Sequence, residues 1–221
     1  MQALVRAAPR PRLEDGWDAA AWARAETLEL AHFRPEGSDH RPRTRCRLLH
    51  DGAGLAGIFR VEDRYVRSLH ERFGDPVYED SCVEVFLQPL PDRGYLNLEI
   101  NCGGTLRASY VTDHRRVPGG FAAFTPLTQD EGRSVGIRSS LPRRVDPEVE
   151  SPLEWQLAFF VPQALLERHV GALGPLAGQS WRANVYKCGD RTSHPHWASW
   201  APLDARNFHL PHCFGTLRFE D

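Results

Sequence analysis

Residues 79–111 read EDSCVEVFLQPLPDRGYLNLEINCGGTLRASYV and contain three stretches in which apolar and polar side chains alternate. Side chains on a β-strand point alternately to the two faces of a sheet. The stretch therefore predicts three consecutive strands, with a turn at Cys102–Gly104 between the second and the third. In each strand one face is apolar and the other is polar.

Short apolar runs separated by turn residues also occur on both sides of this segment. The whole chain contains 18 glycines and 17 prolines, most of which fall between such runs. Residues 45–63, RCRLLHDGAGLAGIFRVED, predict a hairpin that turns at Asp51–Gly54. Further strands are predicted around Leu28 and in the segments SVGIRSSL, EWQLAFFV, SWRANVYKC and FGTLRFED. About nine strands result, because each apolar run is short and is bounded by turn residues.

Two short helices complete the prediction. One begins after Asp18, a suitable N-cap, and the other lies in PQALLERHV with Pro162 at its first position. Residues 112–152 contain five prolines and are expected to be loop-like. Few helices mean few parallel crossovers, so we predict an all-β fold: an antiparallel β-sandwich with jelly-roll or immunoglobulin-like layers, formed by residues 1–221 as one domain.

Composition and charge exclude several classes of protein. A hydrophobic fraction of 41% and a charged fraction of 25% are typical of a folded chain and exclude extensive disorder. The net charge of −2 lacks the basic excess of a nucleic-acid-binding protein. No apolar run is long enough for a membrane span, and the N-terminus does not resemble a signal peptide. The expected location is therefore the cytoplasm, or the periplasm or exterior if a signal peptide has been removed.

If the strands at 83–88, 95–101, 105–110 and 181–186 are neighbours in the sheet, their polar sides form one polar face. Its hydrogen-bonding residues are Glu84, Asn97, Glu99, Asn101, Arg107, Arg182 and Asn184. A solvated outer sheet face would explain such residues. A polyhydroxylated ligand would explain them as well, because carboxylates, amides and guanidinium groups are suited to sugar hydroxyl groups.

Sugars also present apolar C–H faces, against which aromatic rings pack. Most of the six tryptophans are expected in the core because of their size. Tyr78 and Phe208 are better candidates for contact with a ligand, because each lies in a loop next to a predicted strand.

Several motifs, in this order along nearly the whole chain, resemble those of family 9 carbohydrate-binding modules, of the DOMON-like superfamily. These are DGWD at Asp15–Asp18 with Trp22, EDSCVEVFLQP at Glu79–Pro89, YLNLEINCGGTL at Tyr95–Leu106, WRANVYKC at Trp181–Cys188, and the final NFHLPHCFGTLRF. The resemblance implies a β-sandwich and non-catalytic binding of a gluco- or xylo-type sugar, often at a chain end. It also associates the protein with polysaccharide catabolism.

By the same resemblance, two aromatic side chains hold the sugar, and they correspond to Tyr78 and Phe208. Glu84 and Asn101 correspond to the acidic and amide residues that bond sugar hydroxyls. Glu99, Arg107 and Asn184 complete the expected site as members of the polar face, although Glu99 stands where the family would have a basic residue. The sequence departs from the family where the two aromatic positions, usually tryptophan, are tyrosine and phenylalanine. The expected partner is an oligo- or polysaccharide, with no nucleic acid and no membrane.

Other functions remain open at this point. The fold could serve as a protein-interaction scaffold without sugar binding, or Glu84 and Glu99 could act as the two carboxylates of a glycoside hydrolase. We expect no cofactor; the resemblance allows calcium, but no DxDxDG-type loop provides a site. Zinc is considered for six C-terminal residues, although their spacing matches no known structural zinc site: Cys188, His194, His196, His209, His212 and Cys213. Because Met1 is the sole methionine, haem ligation by Met and His is disfavoured.

Overall fold

The computed structural model describes residues 1–118 and 120–221, which form sixteen β-strands, two α-helices and three short 3-10 turns. The first eight strands are β1 Gln2–Ala7, β2 Thr27–Glu29, β3 His32–Phe33, β4 Arg43–His50, β5 Gly54–Asp63, β6 Val66–Ser68, β7 Cys82–Gln88 and β8 Tyr95–Asn101. The others are β9 Leu106–Val117, β10 Gly120–Pro126, β11 Gly136–Ser139, β12 Val145–Val149, β13 Leu153–Pro162, β14 Ser180–Cys188, β15 Trp197–Ser199 and β16 Gly215–Phe219. The helices are α1 Gln129–Ser134 and α2 Gln163–Val170.

The strands form the two layers of a β-sandwich, which confirms the predicted fold class. One layer has the order β10-β9-β8-β7-β14-β16, and the other has the order β4-β5-β13-β11. Strand β1 joins the layers, because Gln2–Val5 pair with β16 and Arg6 and Ala7 pair with β4. Both pairings of β1 are parallel, whereas the other pairings between described strands are antiparallel.

The main core lies between the layers and is built from the apolar faces that the alternation predicts. Val83, Val85 and Leu87 of β7 are buried in it together with apolar residues of β8 and β14. From the second layer come Phe59, Trp155 and others of β5 and β13. Removal of these side chains from water provides the main driving force for folding.

The predicted helices differ in part from those observed. Helix α2 begins at Gln163, with Pro162 as the residue before it, close to the prediction. After Asp18 the chain forms only a 3-10 turn, Ala20–Trp22, and Asp18 pairs with Arg60 instead of capping a helix. Neither of the two α-helices of the described residues, six and eight residues long, could cross a bilayer.

The segment 112–152 is more ordered than expected, since it contains β10, β11, β12 and helix α1. Helix α1 begins with a capping box, in which the Thr128 hydroxyl accepts a hydrogen bond from the Glu131 N–H and the Glu131 carboxylate accepts one from the Thr128 N–H. The local signal for this helix was therefore present in the sequence.

Candidate binding site

A cleft of about 540 Å³ lies on the outer side of the first layer, over β7, β8, β9 and β14. These four strands are consecutive neighbours, as the polar-face interpretation required. Glu84 lies opposite Glu99 in the strand register, and Glu99 lies opposite Arg107. Side chains that are distant in sequence thus lie together on the floor of the cleft.

Five of the seven predicted site residues line the cleft: Tyr78, Glu84, Glu99, Arg107 and Phe208. They reach it from three β-strands, the 3-10 turn Val77–Glu79 and the loop before the last strand. All five are buried or half-buried, so the predicted polar face is covered by loops and is not an open, solvated sheet surface.

The other two predicted residues, Asn101 and Asn184, lie outside the cleft lining and are 0% exposed. The Asn101 amide donates hydrogen bonds to the His70 carbonyl and the Asp80 carboxylate, while its oxygen accepts one from the Thr105 N–H. Both groups of the Asn184 amide bond to the backbone of Ala201. Their hydrogen-bonding capacity is used in holding loops against the sheet, which is a structural role.

The floor of the cleft contains two buried oxygen atoms that accept no hydrogen bond from a described residue. Asn97 Nδ2 donates a 2.9 Å hydrogen bond to Glu99 Oε1, which leaves Asn97 Oδ1 and Glu99 Oε2 without a donor. Arg107 Nε is 3.8 Å from Glu99 Oε2, too far for a direct hydrogen bond. Such unpaired acceptors are uncommon in protein interiors and each costs about 1 to 3 kcal/mol.

The pKa values of the two carboxyl groups of the floor are raised. Burial raises the pKa of Glu84 well above its ordinary value, and the nearby charge of Glu99 raises it further. Burial also raises the pKa of Glu99, against the hydrogen bond from Asn97. A protonated carboxyl both donates and accepts hydrogen bonds, as a sugar hydroxyl does.

Aromatic rings form much of the rest of the cleft. Tyr78, Trp197 and Phe208 pack against a small buried cluster of Val77, Cys82 and Cys188. One face of the Phe208 ring is stacked on Tyr186, with 4.2 Å between centroids, so the opposite face is the one left for a ligand. The Trp197 indole N–H donates a 2.7 Å hydrogen bond to Asp190, which fixes that ring.

Three arginine side chains extend over aromatic rings of the cleft. Arg107, Arg116 and Arg206 have their guanidinium carbons 5.8, 4.4 and 5.5 Å from the ring centroids of Tyr78, Phe121 and Trp197. Within the described ranges, Arg116 and Arg206 form no ion pair. Their hydrogen-bond donors are therefore free for a ligand at the entrance.

Several lining residues are not among the seven that the sequence identified. They include Asn97, Ser109, Arg116, Asp190, Trp197 and Arg206. The alternation on β8 and β9 identifies Asn97 and Ser109 as members of the polar face. Trp197 was expected in the core but is half-buried at the cleft, and no local pattern distinguishes it from the five buried tryptophans.

The C-terminal cysteines and histidines considered for zinc do not converge on one site. His209 bonds to the Tyr95 hydroxyl, and His212 pairs with Asp204 at the surface. His196 lies instead in a buried network, where its Nε2 is 2.7 Å from Lys187 Nζ. The Lys187 ammonium group is also 3.4 Å from Asp63 Oδ2.

Calcium prefers six to eight oxygen ligands. Three groups of potential metal ligands occur in the part of the chain that the structure describes, and each contains at least one histidine or cysteine. Each group offers at most one carboxylate. These groups do not provide the oxygen-rich shell of a calcium site.

Comparison with known proteins provides a family assignment. The sequence model described as "Carbohydrate-binding family 9" matches residues 19–219. A search of curated proteins gave no match. Among solved structures, a putative carbohydrate-binding protein from Bacteroides uniformis is 28% identical, with a TM-score of 0.86 and 99% of each chain covered.

Two further similar structures are of a family 9 carbohydrate-binding module from Caldicellulosiruptor kristjanssonii, each 12% identical to this chain. The complex with cellotriose gives a TM-score of 0.65, with 100% of this chain and 94% of that chain covered. The complex with glucose gives a TM-score of 0.64, with coverage of 100% and 96%. At this identity the likeness supports a common fold.

Proposed function

The chain belongs to carbohydrate-binding family 9, and on that premise we propose that it binds an oligo- or polysaccharide in the cleft over β7, β8, β9 and β14 without cleaving it. The family assignment supports this proposal, as do the cellotriose and glucose complexes of a module with the same fold. The ligand we propose is a gluco- or xylo-type sugar, bound at a chain end.

One observation carries the proposal: two buried hydrogen-bond acceptors without donors lie at the cleft floor, beneath an aromatic wall formed by Tyr78, Trp197 and Phe208. Asn97 Oδ1 and Glu99 Oε2 would each accept a hydrogen bond from a sugar hydroxyl, which would remove the penalty of leaving them unpaired. The rings of Tyr78 and Phe208 would pack against the C–H face of the same sugar. A sugar provides both kinds of surface within one ring.

The remaining polar groups have roles that follow from their positions. Glu84 would exchange hydrogen bonds with a second hydroxyl, because its carboxyl group lies opposite Glu99. Arg107 would donate from the side of Tyr78. Asn101 and Asn184 are not part of the proposed contact set, since the protein already uses their amides.

The family assignment favours binding over hydrolysis. Glycoside hydrolases need two carboxyl groups about 5 to 10 Å apart that flank the scissile bond. Glu84 and Glu99 lie opposite each other on neighbouring strands of one sheet face, a spacing that a binding site and a hydrolase can share. The match to carbohydrate-binding family 9 therefore carries the proposal of binding without cleavage.

Calorimetric titration tests the proposal, with gluco-, xylo- and manno-oligosaccharides in native and end-reduced form. We expect saturable binding of a gluco- or xylo-oligosaccharide that is weakened by end reduction and by Tyr78→Ala or Phe208→Ala. Tyr65→Ala is the matched control, because Tyr65 is half-buried but lies outside the cleft.

Three outcomes would contradict parts of the proposal. Absence of binding across the panel would refute sugar binding and favour an interaction scaffold. Full affinity in both cleft variants would refute the site. Appearance of shortened products on prolonged incubation, abolished by Glu84→Gln, would refute the non-catalytic assignment.

A further inference from the structure

Two cysteines and a glutamate meet at the floor of the cleft, beneath the aromatic wall. Cys82 of β7 and Cys188 of β14 lie directly opposite each other in the register, and Glu84 is two residues along β7 on the same face. Cys188 Sγ is 3.3 Å from Glu84 Oε1, and the ligand atoms of all three lie within 4.8 Å of one another. All three side chains are buried.

The separation between Cys188 Sγ and Glu84 Oε1 matches one edge of a tetrahedral metal site. With a zinc–sulfur bond of about 2.3 Å and a zinc–oxygen bond of about 2.0 Å, a tetrahedral angle separates sulfur and oxygen by about 3.5 Å and two sulfurs by about 3.8 Å. The observed 3.3 Å between Cys188 Sγ and Glu84 Oε1 is close to the first value. The other two separations are within 4.8 Å, so the three groups surround a position that a cation could occupy.

Charge distinguishes this cluster from the two other groups of metal-capable residues. The cluster of His40, Asp63 and His196 already holds a cation, since the Lys187 ammonium contacts both Asp63 and His196. The group of Asp204, His212 and Cys213 lies at the surface, where a His–Asp pair needs no ion.

By contrast, no Lys or Arg side chain in the described ranges forms an ion pair or a hydrogen bond with the side chain of Cys82, Glu84 or Cys188. The Lys187 ammonium group donates a hydrogen bond to Cys188 only at its backbone carbonyl.

A second observation also indicates a ligand at this place. Glu99 Oε2 is buried without a donor, and Glu99 lies directly opposite Glu84. Glu84 and Cys188 line the cleft, which gives a cation a route from solvent. A cation held by three side chains at the cleft floor would keep a fourth position toward the cleft, as catalytic and substrate-binding zinc sites do.

We propose that Cys82, Glu84 and Cys188 bind one thiophilic divalent cation, of which Zn²⁺ is the physiological example, with the fourth coordination position open to the cleft. Both thiols bind as thiolates, so each releases its proton to solvent on coordination. No oxidant or reductant takes part. This metal site and the sugar site share the cleft floor, but each can be measured without the other's ligand.

Titration with Co²⁺ and Cd²⁺ is the direct test, because thiolate ligands give charge-transfer absorption with both ions. The protein is kept reduced with a non-thiol reductant and carries Cys213→Ser, which removes a partly exposed cysteine. We expect one equivalent to saturate the signal, and Cys82→Ser or Cys188→Ser to abolish it. Cys46→Ser and Cys102→Ser are matched controls that retain it, since both thiols are buried outside the cluster.

Two measurements keep the proposal testable if a cysteine variant fails to fold. Glu84→Gln retains both thiols, and we expect it to weaken Zn²⁺ binding at least tenfold. In the parent protein at pH 7, calorimetry in buffers of different ionisation enthalpy is expected to show release of at least two protons per Zn²⁺, one from each thiol. A Zn²⁺ concentration of about 100 times the Kd should raise the Tm by about 5 °C or more.

The proposal is overturned if charge-transfer absorption survives in both cysteine variants, or if one equivalent of Zn²⁺ neither releases protons nor raises the Tm. Neither result affects the saccharide titrations, which are performed with a chelator present. Failure of the metal site and failure of sugar binding are therefore distinguishable.

Discussion

Replacement of Lys187 by methionine is expected to destabilise the protein by about 4 to 5 kcal/mol at pH 8. Lys187 is the single lysine of the chain and is 0% exposed. Its ammonium group is 3.4 Å from Asp63 Oδ2. Methionine preserves most of the side-chain volume but removes the charge, so Asp63 becomes a buried anion without its cation.

The magnitude follows from the distance between the two charges. At an effective dielectric constant of about 20, two unit charges 3.4 Å apart attract each other by about 5 kcal/mol. Loss of one partner of a buried ion pair typically costs about 3 to 5 kcal/mol. Hydrogen bonds from His40, Trp155 and the Arg64 N–H remain on the Asp63 carboxylate and limit the loss.

The loss is expected to depend on pH through His196. Burial and the neighbouring Lys187 charge lower the pKa of His196 to about 3. In the parent protein the unfolded state therefore binds a proton below about pH 6.5 that the folded state does not. The free energy of unfolding decreases as the pH is lowered through that range. Without Lys187 one of the two causes is removed, so His196 binds that proton more readily beside Asp63. The loss at pH 5.5 should therefore be smaller than at pH 8, by at most about 1.4 kcal/mol.

Urea unfolding followed by tryptophan fluorescence at pH 8 and pH 5.5 measures these losses. The double variant Lys187→Met with Asp63→Asn should lose less than the sum of the single variants, by about 2 kcal/mol. Arg93→Met is the control, since Arg93 is exposed and its side chain makes no ion pair among the described residues. A loss below about 1 kcal/mol would show that Asp63 does not depend on the Lys187 charge, and an equal loss at both pH values would show that His196 is not coupled to it.

Three further predictions concern the cleft and the backbone. Tyr78→Ala and Phe208→Ala are each expected to weaken saccharide affinity about tenfold, because a stacked ring contributes about 1 to 1.5 kcal/mol; unchanged calorimetric affinity would contradict this. The raised pKa of Glu84 means that the folded state binds more protons than the unfolded state above about pH 4.5, so stability falls as pH rises through that window. In urea unfolding, Glu84→Gln should therefore stabilise the metal-free protein at pH 8 but not at pH 4. The exposed Glu14→Gln is the control and should stabilise the protein at neither pH. An equal gain at both pH values would argue against a raised pKa of Glu84. Gly103→Ala should lower stability by about 2 kcal/mol or more, because its Cβ would lie 2.1 Å from the Arg143 carbonyl oxygen; an unchanged thermal midpoint would contradict that contact.

The sequence predicts the sheet faces well because alternation is a local property. Val83, Val85 and Leu87 are in the core, and Glu84 is on the opposite face, as the pattern requires. The same pattern cannot identify which polar residues remain accessible. Asn101 has the right parity, but its amide is used by Asp80 and His70, which come from a preceding segment.

Loops brought from distant parts of the chain determine the rest of the site. Trp197 begins β15 and lies opposite Cys188 of β14. Its half-buried state depends on which loops pack over it. The pair of Cys82 and Cys188 arises because β14 lies beside β7, although 105 residues separate the two cysteines in the chain. No spacing rule for metal ligands detects such a pair.

The sequence by itself determined the fold class, the face on which each polar residue of β7, β8 and β9 lies, and two of the aromatic residues at the cleft. These properties follow from alternation within strands and from turn residues between them. Three features depend on the tertiary structure: the Asn184 amide is hydrogen-bonded to the Ala201 backbone, Asn97 and Glu99 retain unpaired acceptors, and Lys187 is buried beside Asp63. The physical reason is that solvation and charge pairing depend on which distant segments lie above a strand, and alternation contains no information about them.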